Sequence, residues 1–211
     1  MVERPVWRPM CLVRILVFAS AALISVDTRA DAQVPGPRAI EIRLASDSDP
    51  ERQARAQLER ILVRWDLSKW YFTRAVQIES GVTPHSHPVL TLNTNGLAND
   101  TIKAVSFVHE QLHWFLSRHH DATDSAIADL RLRYPDAPSE DASDRESTYL
   151  HLLVGVLEFN ATQELFGQGW ARERLGKVPF YTWVYREIRE RPEPIRQILR
   201  KHGLDSPDAR T

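Results

Sequence analysis

Two histidines four residues apart, with a glutamate directly after the first, are the residues of this sequence best suited to chemistry. They lie in the run His109-Glu110-Gln111-Leu112-His113. On a helix, residues four apart lie one turn apart on the same face, so both imidazoles can reach one metal ion. Neutral imidazoles are typical ligands of Zn²⁺, at Zn–N distances of about 2.0–2.1 Å. Glu110 would lie beside such an ion, where a carboxylate can act as a general base toward a water molecule.

The apolar residues around this motif predict a helix on which the two histidines face inward. They recur at intervals of three and four residues, at Ile102, Val105, Val108, Leu112 and Leu116. His109 and His113 fall at the edge of this apolar stripe. Buried imidazoles need polar partners, and a metal ion would satisfy both of them. The sequence therefore predicts a metal site, with a packed and hydrogen-bonded histidine pair as the alternative.

A zinc site needs a third protein ligand, and a later apolar segment carries two candidates, His151 and Glu158. The segment 149–159 is apolar on nearly every side, and a carboxylate within it is costly unless it is paired or bound to a metal. Positions 151 and 158 lie two turns apart on one helix face. Gly155 lies between them, where a missing side chain would let another helix come close. If His151 is not a ligand, it can contact the substrate or the transition state.

Together the two segments resemble the zincin metallopeptidases, in particular the gluzincin-like branch. In that branch HExxH supplies two ligands, and a glutamate on a later helix, often in an E-x-x-A setting, supplies the third. The run Glu158-Phe159-Asn160-Ala161 matches that setting. The resemblance implies that His109, His113 and Glu158 bind Zn²⁺ and that Glu110 is the catalytic base in the hydrolysis of a peptide bond.

Four further side chains are candidates for contact with a substrate. His85 and His87 lie in a Pro-His-Ser-His-Pro segment just before a predicted strand. By resemblance to zincins, an edge strand would lie above the metal and pair with the extended substrate, and these histidines would stand at the mouth of the cleft. Some zincins also use a tyrosine after the ligand helix to bind the oxyanion, which makes Tyr181 and Tyr185 candidates. A plain loop and a packed aromatic cluster are the respective alternatives.

The elements that must position these residues follow from the apolar patterns. Strands are predicted at 40–44, 75–78 and 89–92, with a helix at 49–65 between the first two. From Asn99 onward the pattern is almost wholly helical, with helices predicted at 99–118, 125–132, 143–167, 179–191 and 192–202. A capping box, S-x-x-E, begins the third of these at 143–146. The sequence predicts an α+β fold, in which a small N-terminal mixed sheet with a helix precedes a zincin-like helical lobe that carries the HExxH helix and the later Glu-ligand helix.

The first 32 residues have the pattern of a secretory signal peptide. Arginines at 4, 8 and 14 precede and flank an apolar run at 15–26, and Ala30-Asp31-Ala32 fits a small-x-small cleavage site. An uncleaved membrane anchor is the alternative, although the run is shorter than the ~20 residues that cross a bilayer. Residues 33–211 would then form a single exported domain, periplasmic or secreted from a bacterial envelope. This domain would have no disulfide, because Cys11 is the only cysteine.

The charge of the chain argues against nucleic acid as a partner. The sequence has 27 Lys and Arg against 28 Asp and Glu, and the two signs are interspersed. No later apolar run is long enough to span a membrane. The expectation is therefore an exported zinc-dependent hydrolase that acts on a peptide or protein. A non-catalytic envelope binding or structural domain, with a vestigial or structural zinc site, is the alternative.

Overall fold

The computed structural model describes residues 39–140 and 145–210, which contain three β-strands and seven α-helices. This is the α+β composition that the sequence predicts. The predicted signal peptide at 1–32, the first residues of the predicted domain and the start of the capping box at 143 lie outside the described residues. The elements are β1 (Glu41–Leu44), α1 (Asp49–Arg64), β2 (Ala75–Ile78), β3 (Leu90–Leu92), α2 (Asp100–Arg118), α3 (His120–Arg133), α4 (Arg145–Phe166), α5 (Gln168–Leu175), α6 (Thr182–Glu190) and α7 (Glu193–Lys201).

The sheet has the order β1-β2-β3, and both strand pairs are parallel. Ile42 lies opposite Val76, which lies opposite Leu90 on its other side. The predicted mixed sheet is therefore wrong in strand direction. Alternation of apolar and polar residues indicates which face of a strand is buried, but it carries no information about direction. The connection between β2 and β3 runs antiparallel to β3 at His85, which forms a bridge with Thr91. The chain then reverses, so β3 runs parallel to β2.

Two side chains, Asn99 and Gln111, determine where helix α2 begins and how it is rotated about its axis. The side chain of Asn99 accepts a hydrogen bond from the backbone N–H of Ile102 at 3.0 Å, which caps the first turn. The buried amide of Gln111 fixes the rotation of the helix, because its Oε1 accepts from Thr73 N and its Nε2 donates to Thr73 O, each at 2.8 Å. This pair of bonds joins α2 to the chain just before β2. It holds the HExxH motif in one orientation relative to the sheet.

Helix α4 is buried along most of its length, and α6 packs closely against it at Gly155. A Cβ atom at Gly155 would lie 2.5 Å from Ile188 Cδ1, well inside van der Waals contact. The prediction that this glycine admits a neighbouring helix is confirmed. The close approach brings the side chain of Tyr185, on α6, against the face of α4 that carries Glu158.

The end of α4 differs from the prediction in one respect. The predicted helix 143–167 ends at Gly167, whose φ of 86° and ψ of 157° lie outside the helical conformation. Helix α5 starts at the next residue, where the sequence analysis placed no helix. The glycines at 167 and 169 weaken the helical pattern, and no polar loop separates α5 from α4.

None of the seven helices in the described ranges combines the length and the apolar character that a membrane-spanning segment needs.

Candidate metal centre

Three imidazoles converge where α2 packs against α4. They belong to His109, His113 and His151, and one ring nitrogen of each lies within 4.8 Å of the other two. The Nε2 atoms of His109 and His113 are 3.2 Å apart. In a tetrahedral site with Zn–N distances of about 2.0–2.1 Å, two ligand nitrogens lie about 3.3 Å from each other. The spacing of this pair therefore fits a shared zinc ion.

Hydrogen bonds hold His109 and His151 through their Nδ1 atoms, so that Nε2 is the ring nitrogen each could offer to a metal ion. The Nδ1 atom of His109 lies 2.6 Å from Oε2 of Glu158, and Nδ1 of His151 lies 2.7 Å from the carbonyl oxygen of Ser147. Both partners accept a hydrogen bond, so N–H is assigned to Nδ1 in each ring, and in the neutral form of the ring Nε2 carries the lone pair. Metal-binding histidines are commonly held by a carboxylate or a carbonyl in this way, which fixes both tautomer and orientation.

Glu158 lies behind His109 and does not join the group of converging nitrogens. Its Oε2 also accepts a hydrogen bond from the hydroxyl of Tyr185 at 2.9 Å. A ring that donates from Nδ1 to this carboxylate can offer only Nε2 to a metal, so Glu158 occupies the position of a supporting partner. His151, the alternative third ligand of the sequence analysis, completes the group instead. The geometry therefore groups His151 rather than Glu158 with His109 and His113, whereas the resemblance to gluzincins predicts Glu158 as the third zinc ligand.

Burial keeps two of the three imidazoles uncharged. It is the main cause that holds the pKa of His113 well below its usual value, and the charges of the neighbouring histidines add to it. Burial followed by the charge of His109 lowers the pKa of His151 to about 4. Burial also acts to lower the pKa of His109, but the hydrogen bond and charge of Glu158 outweigh it and raise that pKa. Neutral imidazole is the form that binds a metal, and His113 and His151 are already in it.

Glu110 faces the same space as the three histidines. The side chains of all four residues line a cavity of about 700 Å³. Only 6% of Glu110 is exposed, and burial is the main cause that raises the pKa of its carboxyl group, although the charges of His109 and His85 oppose it. No hydrogen bond to this carboxylate comes from any other residue that the structure describes. A buried carboxylate of this kind, open to a cavity, is free to accept a proton from a water molecule.

The two candidate tyrosines have different positions. Tyr185 is buried, and its hydroxyl donates to Glu158; burial, followed by the charge of Glu158, raises the pKa of this hydroxyl well above its usual value. Tyr181 lies flat against the ring of His151, with 3.8 Å between ring centroids, and its hydroxyl lies 3.1 Å from Ser147 Oγ. Its φ of 50° is unusual for a residue other than glycine, and strain of this kind is concentrated at functional sites.

The two candidate histidines before β3, His85 and His87, also have different environments. His85 forms an antiparallel bridge with Thr91 and lines the cavity, so the outer edge of β3 is already paired at that point. The ring of His87 instead stacks on Trp114 at 4.4 Å, and Trp114 Nε1 donates to the carbonyl oxygen of Ser86 at 2.8 Å. His85 therefore remains a candidate for substrate contact, whereas His87 anchors the segment to α2.

Among the lining residues that were not singled out from the sequence are Lys103, Arg174 and Phe180. Lys103, Ser106 and Glu110 are spaced at three and seven residues along α2, which places them on one face, so helical spacing could have identified Lys103. Arg174 lies on α5, and no sequence signal connects that helix to the site. Phe180 is 48% exposed at the margin of the cavity.

No protein-family model matches the sequence, and no curated protein or solved structure matches it either. The interpretation of the site therefore depends on its own residues and their geometry.

Proposed function

We propose that this chain is an exported zinc-dependent hydrolase that cleaves peptide bonds, with His109, His113 and His151 as the zinc ligands and Glu110 as the general base. The observation that carries the proposal is the convergence of three imidazole nitrogens, from two helices, beside a buried glutamate that faces a cavity. The HExxH run on α2 is the part of the zincin resemblance that agrees with this arrangement.

The donor set favours a catalytic zinc site over a structural one. Structural zinc sites are closed by four protein ligands, whereas catalytic sites have three and leave a position for water or substrate. Among the described residues, the group contains three histidines and no fourth ligand. Imidazole ligands suit zinc and several other transition metals, and the HExxH spacing is the reason to prefer zinc.

The zinc ion and the residues around it would have separate roles in hydrolysis. A zinc ion bound there would polarise a carbonyl oxygen and lower the pKa of a water molecule. The carboxylate of Glu110 would accept a proton from the attacking water and pass it to the leaving amine. Burial raises the pKa of this carboxyl group, which makes its carboxylate a stronger base toward the attacking water than that of an exposed glutamate. His85, on the same cavity, is placed to contact the substrate.

The cavity is large enough for part of a peptide. Its volume of about 700 Å³ lies within the ~300–1,000 Å³ range of ligand-binding sites. The HExxH run and its resemblance to zincins favour a peptide or protein as the substrate.

The test combines metal analysis with cleavage of a peptide library by the purified protein. We expect about one zinc per chain, cleavage detected by mass spectrometry, and loss of cleavage on removal of the metal. Glu110→Gln should retain zinc and the fold but lose cleavage, since an amide cannot accept the proton. Zinc binding without any cleavage would favour the structural or binding domain instead, and a Glu110→Gln variant as active as the wild type would exclude the proposed base.

A further inference from the structure

An arginine whose side chain has no partner among the described residues lines the candidate active-site cavity. Arg174 forms no ion pair and no side-chain hydrogen bond with any residue in the described ranges, and its Nε atom is buried without an acceptor. Other arginines of the chain are paired, as Arg60 is with Asp100 and Arg191 is with Glu187. Buried hydrogen-bond donors are nearly always satisfied, so an unsatisfied guanidinium at a cavity calls for an acceptor from outside the chain.

Glu158, a buried carboxylate that lines the same cavity as Arg174, already has other hydrogen-bond partners. Glu158 accepts from both His109 and Tyr185, and it makes no ion pair with Arg174. Arg174 is nevertheless close enough to Tyr185 for its positive charge to oppose the rise that burial causes in the pKa of that hydroxyl. The arginine therefore lies on the side of the cavity next to the supporting partners of the histidines.

The second cation of the cavity is less suited to bind an anion. The ammonium group of Lys103 donates to the carbonyl oxygen and the side-chain oxygen of Asn93, at 2.8 and 3.3 Å. Burial also lowers its pKa to about 8, so part of its population is neutral in mildly alkaline solution. The planar fork of the Arg174 guanidinium, by contrast, matches the two oxygens of a carboxylate.

We propose that Arg174 binds a carboxylate group of the substrate, either a free C-terminus or an Asp or Glu side chain near the scissile bond. The cavity would then select acidic peptides or peptide ends. The identification of the ligand as a peptide rests on the proposed function, but the binding of a carboxylate at Arg174 does not require catalysis. A bidentate pair between a guanidinium and a carboxylate supplies direction as well as charge, which positions the chain that carries it.

The test measures peptide binding to the full chain after zinc has been removed with a chelator, so that neither cleavage nor a metal can affect the result. Four short alanine-based peptides are compared by calorimetry. They carry a free or an amidated C-terminus, each with either Glu or Gln at one internal position. We expect at least one acidic form to bind roughly tenfold more tightly than its neutral counterpart. The preferred pair identifies whether the carboxylate belongs to the chain end or to a side chain.

Variants at two neighbouring positions of α5 provide the comparison. Arg174→Met should abolish the preference for the acidic peptide, and Arg174→Lys should weaken it, because lysine keeps the charge but loses the fork. Arg172→Met removes the same charge from an exposed position outside the cavity and should leave the preference intact. Met at 174 removes a donor that has no acceptor, so the fold should be retained, and circular dichroism checks this.

The proposal is overturned if acidic and neutral peptides bind equally to the wild type, if neither binds at millimolar concentration, or if Arg174→Met keeps the preference. Should Arg174→Met fail to fold, an unchanged preference in Arg174→Lys would overturn it as well. Failure of the proposed function gives a different result: the preference would persist while no peptide is cleaved with zinc present.

Discussion

The substitution Glu158→Gln distinguishes a supporting partner from a metal ligand. In the structure, Glu158 Oε2 lies 2.6 Å from His109 Nδ1 and accepts from Tyr185 at 2.9 Å, with only 5% of the residue exposed. Glutamine keeps the shape and can still accept from His109, but it loses the negative charge. Hydrogen bonds to a charged group contribute about 1.5–3 kcal/mol, and loss of a supporting partner typically weakens metal binding by about 10–100-fold.

We therefore expect Glu158→Gln to bind one zinc per chain with an affinity reduced by about 10–100-fold, or about 1.4–2.7 kcal/mol. His151→Phe should instead lose stoichiometric binding, because it removes a ligand nitrogen while keeping a ring to stack on Tyr181. Zinc affinity is measured by competition with a chelator of known affinity, and the metal content is measured after desalting.

The control for this experiment lies on the same helix. The side chain of Glu164 is 53% exposed and, in the described part of the chain, forms an ion pair with Lys69 at the surface, so Glu164→Gln should leave zinc affinity unchanged. The reasoning is refuted if Glu158→Gln loses zinc completely while His151→Phe retains it. That result would restore Glu158 as the third ligand.

Three further predictions concern the packing at Gly155, the buried ammonium group of Lys103 and the N-terminus of the exported chain. Gly155→Ala should lower the free energy of unfolding by about 1–2 kcal/mol, because the overlap of the new Cβ with Ile188 exceeds the gain in helix propensity. At Gly169 on α5 a Cβ meets nothing within 4 Å, so the control Gly169→Ala should be as stable as the wild type or more so. Denaturant unfolding measures both variants. Lys103 loses its proton near pH 8 when folded and near pH 10.4 when unfolded, so stability should rise with pH in this range; relative to Lys103→Met, the wild type should gain about 1–2 kcal/mol between pH 7 and 9.5, and a constant difference would contradict the burial of this ammonium. N-terminal sequencing of protein exported from a bacterial host should give a chain that begins near residue 33, whereas an intact N-terminus would indicate a retained anchor.

The sequence was a good guide wherever one helix or strand determines its own pattern. Helix α2 has an apolar stripe and a capping asparagine, Asn99, and its observed bounds of Asp100–Arg118 agree closely with the predicted 99–118. The three strands also lie where alternation placed them. Strand direction was not predictable, because it depends on the path of the connections and not on the residues within a strand.

The third ligand was uncertain for a similar reason. Helical spacing places positions 151 and 158 on one face of α4, and for this reason the sequence offered both His151 and Glu158 as third ligands. Which turn is level with His109 and His113 depends on how far α4 is shifted along its axis against α2, and this shift results from packing over the whole interface. The donor behind Glu158, Tyr185, comes from α6, so the supporting role of this carboxylate could not be read from α4 alone.

The central claim is tested most directly by a crystal structure of the zinc-loaded protein with anomalous data collected at the zinc edge. The account predicts one zinc peak with a ring nitrogen of His109, His113 and His151 each at about 2.0–2.1 Å, a remaining position open to the cavity, and Glu158 still bonded to His109 Nδ1. A zinc ion bound by Glu158 in place of His151, a fourth protein ligand that closes the site, or a zinc peak away from α2 would contradict it.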